Sequence, residues 1–186
     1  MINARNFVIY RIRIPDDSEE TPEIVFHSSS IEDILGIDEP DNFNNWFENA
    51  HVDDISRLKK AFILSIYSGR NFNETYRYFN KKKNKWVWIN AISNPVLEPD
   101  GSYKYFNGMI IDITESKELE GILSESEKKY KYLIDNLSIG ICVNDTAENF
   151  ILANEEAEKL YGVEQNGLVG RNLREFLNAD QFEQMK

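Results

Sequence analysis

The chain of 186 residues has a single cysteine, two histidines and no apolar run near the length of about 18 residues that a membrane helix needs. Cys142 alone cannot form an intrachain disulfide, which fits a reducing compartment. His27 and His51 are the only imidazoles, so a two-histidine metal site would need both. A helix-entry hydrogen bond for His51 and a strand-end surface role for His27 are the expected uses. Basic residues are outnumbered, 21 Lys and Arg against 32 Asp and Glu, and the net charge of −11 repels a phosphate backbone. The one basic cluster, Lys81-Lys82-Lys83 with Lys85, reads as a solvated hairpin turn, so no nucleic-acid partner is expected. The start, Met-Ile-Asn-Ala-Arg-Asn, lacks a signal-peptide core. These residues are expected in the cytoplasm, with no membrane contact, although a longer parent protein can be membrane-anchored.

What the chain does have is 41% hydrophobic and 12% aromatic content, enough for one good core and part of a second. Phe7 to Ile14 alternates as a strand, Pro15 to Pro22 is an acidic turn, and Glu23 to His27 returns. Ser28, Ser29 and Ser30 offer N-cap oxygens to a short helix through Ile31, Ile34 and Leu35 that Gly36 stops. A second short helix spans Phe43 to Ala50. Asp53 or Asp54 is expected to cap a longer one with Ile55, Leu58, Phe62 and Ile66 on one face, ending at Gly69. Strands follow at Asn71 to Phe79, Lys85 to Leu97 and Tyr103 to Ile111, joined by turns at Lys81 to Asn84 and Glu98-Pro-Asp-Gly101. This order predicts an α+β fold, a five-stranded antiparallel sheet with helices on one face.

The last strand collapses into Asp112-Ile113-Thr114-Glu115 and then into a polar helical segment. Asp112 suits the cap of that helix, and Glu115 stands where the second half of a capping box belongs. With Gly108 and the Trp86-Val-Trp88 strand, this exit resembles the C-terminal end of a PAS domain, and the resemblance covers Phe7 to Glu115. Ala50-His-Val-Asp-Asp54 stands at the family's His-Pro-Asp-Asp helix entry, with Val52 for the proline, and Lys83-Asn-Lys85 replaces the usual Asp-Gly turn. Asn in the left-handed region serves such a turn.

Glu23 to Asp38 superposes without a gap on Asn149 to Glu164, pairing Gly36 with Gly162 and Leu35 with Tyr161. The expected organisation is therefore a PAS domain over 7–115, a helical linker over 116–137 and the N-terminal half of a second, incomplete PAS domain over 138–186. The chain then reads as a fragment of a longer multi-PAS protein. In the linker, Leu119, Leu123, Ser126, Tyr130, Leu133 and Leu137 follow coiled-coil spacing. Two readings stand: a helix packed on its own domain, or a dimeric signalling helix.

Candidates for chemistry are few. Gly170-Arg-Asn-Leu-Arg-Glu-Phe-Leu177 is similar to the flavin-binding motif of LOV photosensors, but Leu173 occupies the position of their adduct-forming cysteine, and Cys142 reads as a small buried residue on a strand. Asp53 and Asp54 read as capping residues rather than an acid–base pair. Trp46, Phe62, Tyr76 and Trp88 are candidates for lining a small-ligand cavity beneath the helices. No cofactor is expected, haem and flavin included, and an unidentified small ligand stays open. The sequence carries no phosphate loop, kinase nucleotide box, cyclase motif or nucleophile elbow, so no catalytic residue is assigned and the chain reads as non-enzymatic. The resemblance implies a regulatory input for a sensor histidine kinase of a phosphorelay, or alternatively for a diguanylate cyclase or phosphodiesterase, or a dimerisation spacer with no ligand. Asp112, Ile113, Thr114 and Glu115 would relay the signal. The expected partners are a second copy, through the linker and the PAS domain, and an output domain elsewhere in the full-length protein.

Overall fold

The computed structural model describes residues 6–15 and 21–177. Most of the expected Pro15 to Pro22 turn, the chain start and residues 178–186 of the second domain lie outside them. The chain divides into two compact units, Met1–Leu119 and Glu120–Lys186.

In the first unit, β1 (Phe7–Arg13) and β2 (Glu23–His27) precede α1 (Ile31–Leu35), α2 (Asn45–Glu48) and α3 (Val52–Ser68), and β3 (Phe72–Asn80), β4 (Lys85–Leu97) and β5 (Tyr103–Asp112) complete the unit's sheet. The five strands are antiparallel in the order β2-β1-β5-β4-β3, so the strand that opens the domain pairs directly with the strand that leaves it. Alternation along each strand sends Val8, Tyr10, Ile12, Tyr76, Tyr78, Val87, Ile89, Ala91, Phe106 and Ile110 to one face. There they meet Ile31, Ile34, Leu35, Trp46 and Leu58 from the helices in a single core. This is the expected α+β architecture. Asn84 takes the turn position at φ 49°, and Gly36 and Gly69 end their helices in the left-handed region as anticipated.

Helix starts depart from expectation. Ser30 precedes α1 but makes no side-chain cap; its hydroxyl donates instead to the Phe7 carbonyl at 2.7 Å, binding the helix entry to β1. His51, not Asp53 or Asp54, caps α3, its Nδ1 accepting from the Asp53 N–H at 3.3 Å. Asp54 is taken by Arg77 on β3. The segment at Ala50 bridges to Tyr78 and so covers part of the β3 edge.

Helix α4 (Thr114–Asp135) carries the chain from one unit into the other, and no residue along it is buried. The second unit holds β6 (Cys142–Asn144) and β7 (Phe150–Ala153) as a two-stranded antiparallel sheet, then α5 (Glu155–Tyr161) and a 3-10 turn at Leu173–Glu175. The expected repeat is present in three dimensions: Gly162 ends α5 at φ 70° as Gly36 ends α1 at φ 64°. Among the described residues its core is small, with Phe150, Ala157 and Leu168 buried, while Leu160, the counterpart of fully buried Ile34, stands 78% exposed.

Candidate functional site

Three of the four pocket candidates face the core of the first domain. Trp46 is buried, donates its indole N–H to the Pro40 carbonyl at 2.7 Å and meets the Tyr10 ring edge-on at 5.0 Å. Phe62 packs against Phe43, Phe47 and Phe72, and Tyr76 lies beside Tyr78. Trp88 does not join them. With Val87 and Ile89 pointing inward, Trp88 occupies the opposite face of the sheet, under the Arg77 guanidinium at 6.0 Å. Sequence reasoning also missed Tyr10, whose hydroxyl is pushed up to about 12 by burial, partly offset by its hydrogen bond to Ser93. The signal for it was Gly108. Tyr10 pairs with Gly108 on β5, and Gly108 with Ser93 on β4, so a residue without a side chain lets the ring cross one strand to reach the next. A Cβ on Gly108 would sit 2.2 Å from Tyr10 Cζ.

The exit is the second constellation. Asp112 Oδ1 accepts both the N–H of Thr114 at 3.0 Å and its hydroxyl at 2.5 Å. The Thr114 Oγ1 in turn accepts the backbone N–H of Trp88 at 2.9 Å, and the N–H of Ile113 donates to the Trp88 carbonyl at 2.9 Å. The backbone N–H of Asp112 reaches the Asn6 carbonyl at 2.9 Å, and Lys83 lies 3.9 Å from its carboxylate. Asp112, Ile113 and Thr114 thus gather the ends of β5, β4 and the chain before β1 around the first turn of α4. Glu115 sits in that first turn. The reciprocal box expected from Asp112 and Glu115 gives way to this Asp112–Thr114 clip, which uses a hydroxyl that can donate and accept at once.

Other predicted residues are placed plainly. His27 holds Asp41 at 3.1 Å at the end of β2, and the His51 ring meets Trp86 at a tilt of 56° with centroids 4.9 Å apart. The Arg77 guanidinium beside Asp54 holds that carboxyl below the usual carboxylate range. Cys142 is exposed rather than buried, because in the two-stranded sheet Phe150 of β7 supplies the side chain that packs under α5. Leu173 leans into that same cluster. Among the described residues, no group of three or more His, Cys, Asp or Glu is placed to hold a metal ion, and no helix is long and apolar enough to cross a membrane.

A family model described as the PAS fold matches residues 24–110, and one described as the PAS domain matches 128–185. The chain belongs to the PAS family. Over 139 residues this PAS chain is 24% identical to the sensor protein FixL of Bradyrhizobium diazoefficiens, covering 75% of the chain and 27% of FixL. Over 181 residues it is 25% identical to the two-component sensor PprA of Pseudomonas aeruginosa, covering 97% of the chain and 19% of PprA. The chain therefore spans about a quarter or less of these relatives. Its fold is shared by the N-terminal domain of a diguanylate cyclase with a PAS/PAC sensor from Marinobacter aquaeolei, with a TM-score of 0.51 at 18% identity over 60% of this chain and 98% of that one. The chain carries a PAS sensory domain and a second PAS match.

Proposed function

We propose that this PAS chain is the input segment of a sensor histidine kinase working through a phosphorelay, with catalysis supplied by domains outside it. The observation that carries the reading is the Asp112–Thr114 clip, where one hydroxyl joins the neighbouring strand to the first turn of the exit helix. A shift of β5 against β4 changes this clip before it changes anything else on α4. A ligand or partner moves the equilibrium only by binding the two states with different affinity. The names of FixL and PprA support a sensor, and their length supports an output lying beyond the chain.

The linker helix serves as the dimer contact in this reading. Leu119, Leu123, Tyr130 and Leu133 are each at least half exposed, and they repeat at the spacing of a two-stranded seam. The outer sheet face adds Ile9 and Met109, paired in register and both exposed. The working place is the cytoplasm, with no nucleic acid, metal, haem or flavin. A ligand-free dimerisation spacer is the second reading, favoured by the burial of Tyr10, Trp46, Tyr76 and Phe106 together in one core. Mass spectrometry of what the purified chain releases on denaturation separates the two. A stoichiometric small molecule supports the sensor, while none, together with a concentration-dependent dimer in sedimentation, supports the spacer.

A further inference from the structure

In each domain the residue that follows the second strand, ahead of the next helix, is strapped to the backbone at the first strand. In the first, the N–H of Ser28 donates to the Ile9 carbonyl at 2.9 Å, and the N–H of Ile9 donates to Ser28 Oγ at 3.2 Å. In the second, the N–H of Asn154 donates to the Ile141 carbonyl at 3.0 Å, and the N–H of Ile141 donates to Asn154 Oδ1 at 2.8 Å. Ser28 and Asn154 hold the same position in the repeat. The strap is therefore common to both, and the difference lies in what an amide has and a hydroxyl lacks. Asn154 Nδ2 donates to the Ile139 carbonyl at 2.8 Å, the place where the first domain uses Ser30 on the Phe7 carbonyl. It also donates to the Ile134 carbonyl at 2.9 Å, in the last turn of α4. Meanwhile Oδ1 accepts the N–H of Ala157 at 3.0 Å and caps α5. Asn154 is fully buried, and its four side-chain bonds use both N–H donors and two acceptor sites.

We propose that Asn154 is the positioning residue through which the linker helix is coupled to the second domain. The proposal rests on reading α4 as the relay. The last carbonyls of a helix lack partners within it, and the Ile134 carbonyl takes a long backbone bond from the N–H of Leu137 at 3.4 Å. Asn154 supplies the shorter bond. Turning or sliding the last turn of α4 by about 1 Å takes that bond outside hydrogen-bond range and leaves a buried donor unpaired. Because the same carboxamide caps α5 and holds the entry to β6, the strain falls on the elements that build the second sheet.

Asn154→Asp at pH 8 separates the two halves of this job. The carboxyl keeps both acceptor roles, on Ile141 and Ala157, and in neither form supplies both donors: ionised it donates to neither Ile134 nor Ile139, and the protonated form that burial against these carbonyls favours donates to only one. Amide hydrogen exchange is measured on the whole chain as wild type, Thr114→Val, Asn154→Asp and the double variant. Asn154→Asp is expected to speed exchange across 136–141 about tenfold while α5 stays within about twofold. Thr114→Val, which cuts the clip at the other end of α4, is expected to change exchange in 136–141 and in α5 when Asn154 is present, and to stop short of α5 in the double variant. Unchanged exchange at 136–141 in Asn154→Asp, or a Thr114→Val effect reaching α5 equally in the double variant, overturns the proposal and leaves the relay standing. If Thr114→Val changes nothing beyond Asp135 even with Asn154 intact, the relay itself fails and the assignment falls with it. Should Asn154→Asp also unprotect α5, Asn154→Ser, which restores the chemistry of Ser28, takes its place with the same expected pattern.

Discussion

Replacing Gly108 with alanine tests the packing that defines the first domain. The new methyl would lie 2.2 Å from Tyr10 Cζ and 2.4 Å from its hydroxyl oxygen, on a ring that is 8% exposed and wedged against Trp46. The backbone pairs on both sides, β1 to β5 and β5 to β4, so Gly108 cannot retreat and Tyr10 must move. Overpacking of a close-packed core costs about 1–3 kcal/mol, and losing the hydroxyl bond to Ser93 adds about 1 kcal/mol, giving roughly 2–4 kcal/mol in all. For a domain of this size that lowers the midpoint by roughly 10–20 °C. Thermal and urea unfolding followed by tryptophan fluorescence reads it directly, since Trp46 touches the displaced ring. A Tyr10→Ala background supplies the control, because with the ring gone Gly108→Ala should cost under about 0.5 kcal/mol. A small effect in the wild-type background, or costs that simply add, would refute the reasoning.

Asp54 has a lowered pKa in the folded state because Arg77 hydrogen-bonds its carboxylate. A depressed carboxyl stabilises above its unfolded value, near about 4, and that stability is lost as pH falls through the folded value. Stability curves between about pH 5 and 2 should therefore be flatter for Asp54→Asn than for wild type, and parallel curves would count against the pair. Residues 7–115 alone should unfold in one sharp transition, whereas 130–186, with three buried apolar residues among those described, should not; dispersed amide resonances from the isolated C-terminal piece would contradict this. With Leu173 in place of a cysteine and no paired histidines, the purified chain should show no flavin or haem band, and a stoichiometric one in its visible spectrum would overturn the expectation.

The sheet was legible because its signals are redundant. Alternation marks each strand, and Gly36, Gly69, Asn84 and Gly101 sit at breaks that need a positive φ. Where one stretch offered several equivalent groups, tertiary partners decided and local chemistry did not. Three serines could cap α1, but the Phe7 carbonyl claims Ser30. Asp54 was a natural cap for α3 until Arg77, 23 positions away, drew it to β3 and left His51 to do the capping. The face of Trp88 was ambiguous because Trp86-Val-Trp88 is apolar on both sides; the run of smaller inward residues Val87, Ala91 and Ser93 was the clue. Of the exit, Asp112 and Thr114 were visible as short polar residues at a strand-to-helix step. Their bond to the backbone of Trp88 was not, because it joins positions 26 apart. Asn154 was read only as one position of the repeat, and its four bonds appear when α4, β6 and α5 are brought together.

The central claim is that the Asp112–Thr114 clip carries the output of the first PAS domain. In the full-length parent, Thr114→Val and Asp112→Ala each remove two hydrogen bonds of the clip, about 2 kcal/mol together and too little to unfold the domain. Output activity measured as a function of input is the direct test. The account predicts near wild-type expression with an altered response to input in both variants. A wild-type response in both would take the clip out of the mechanism.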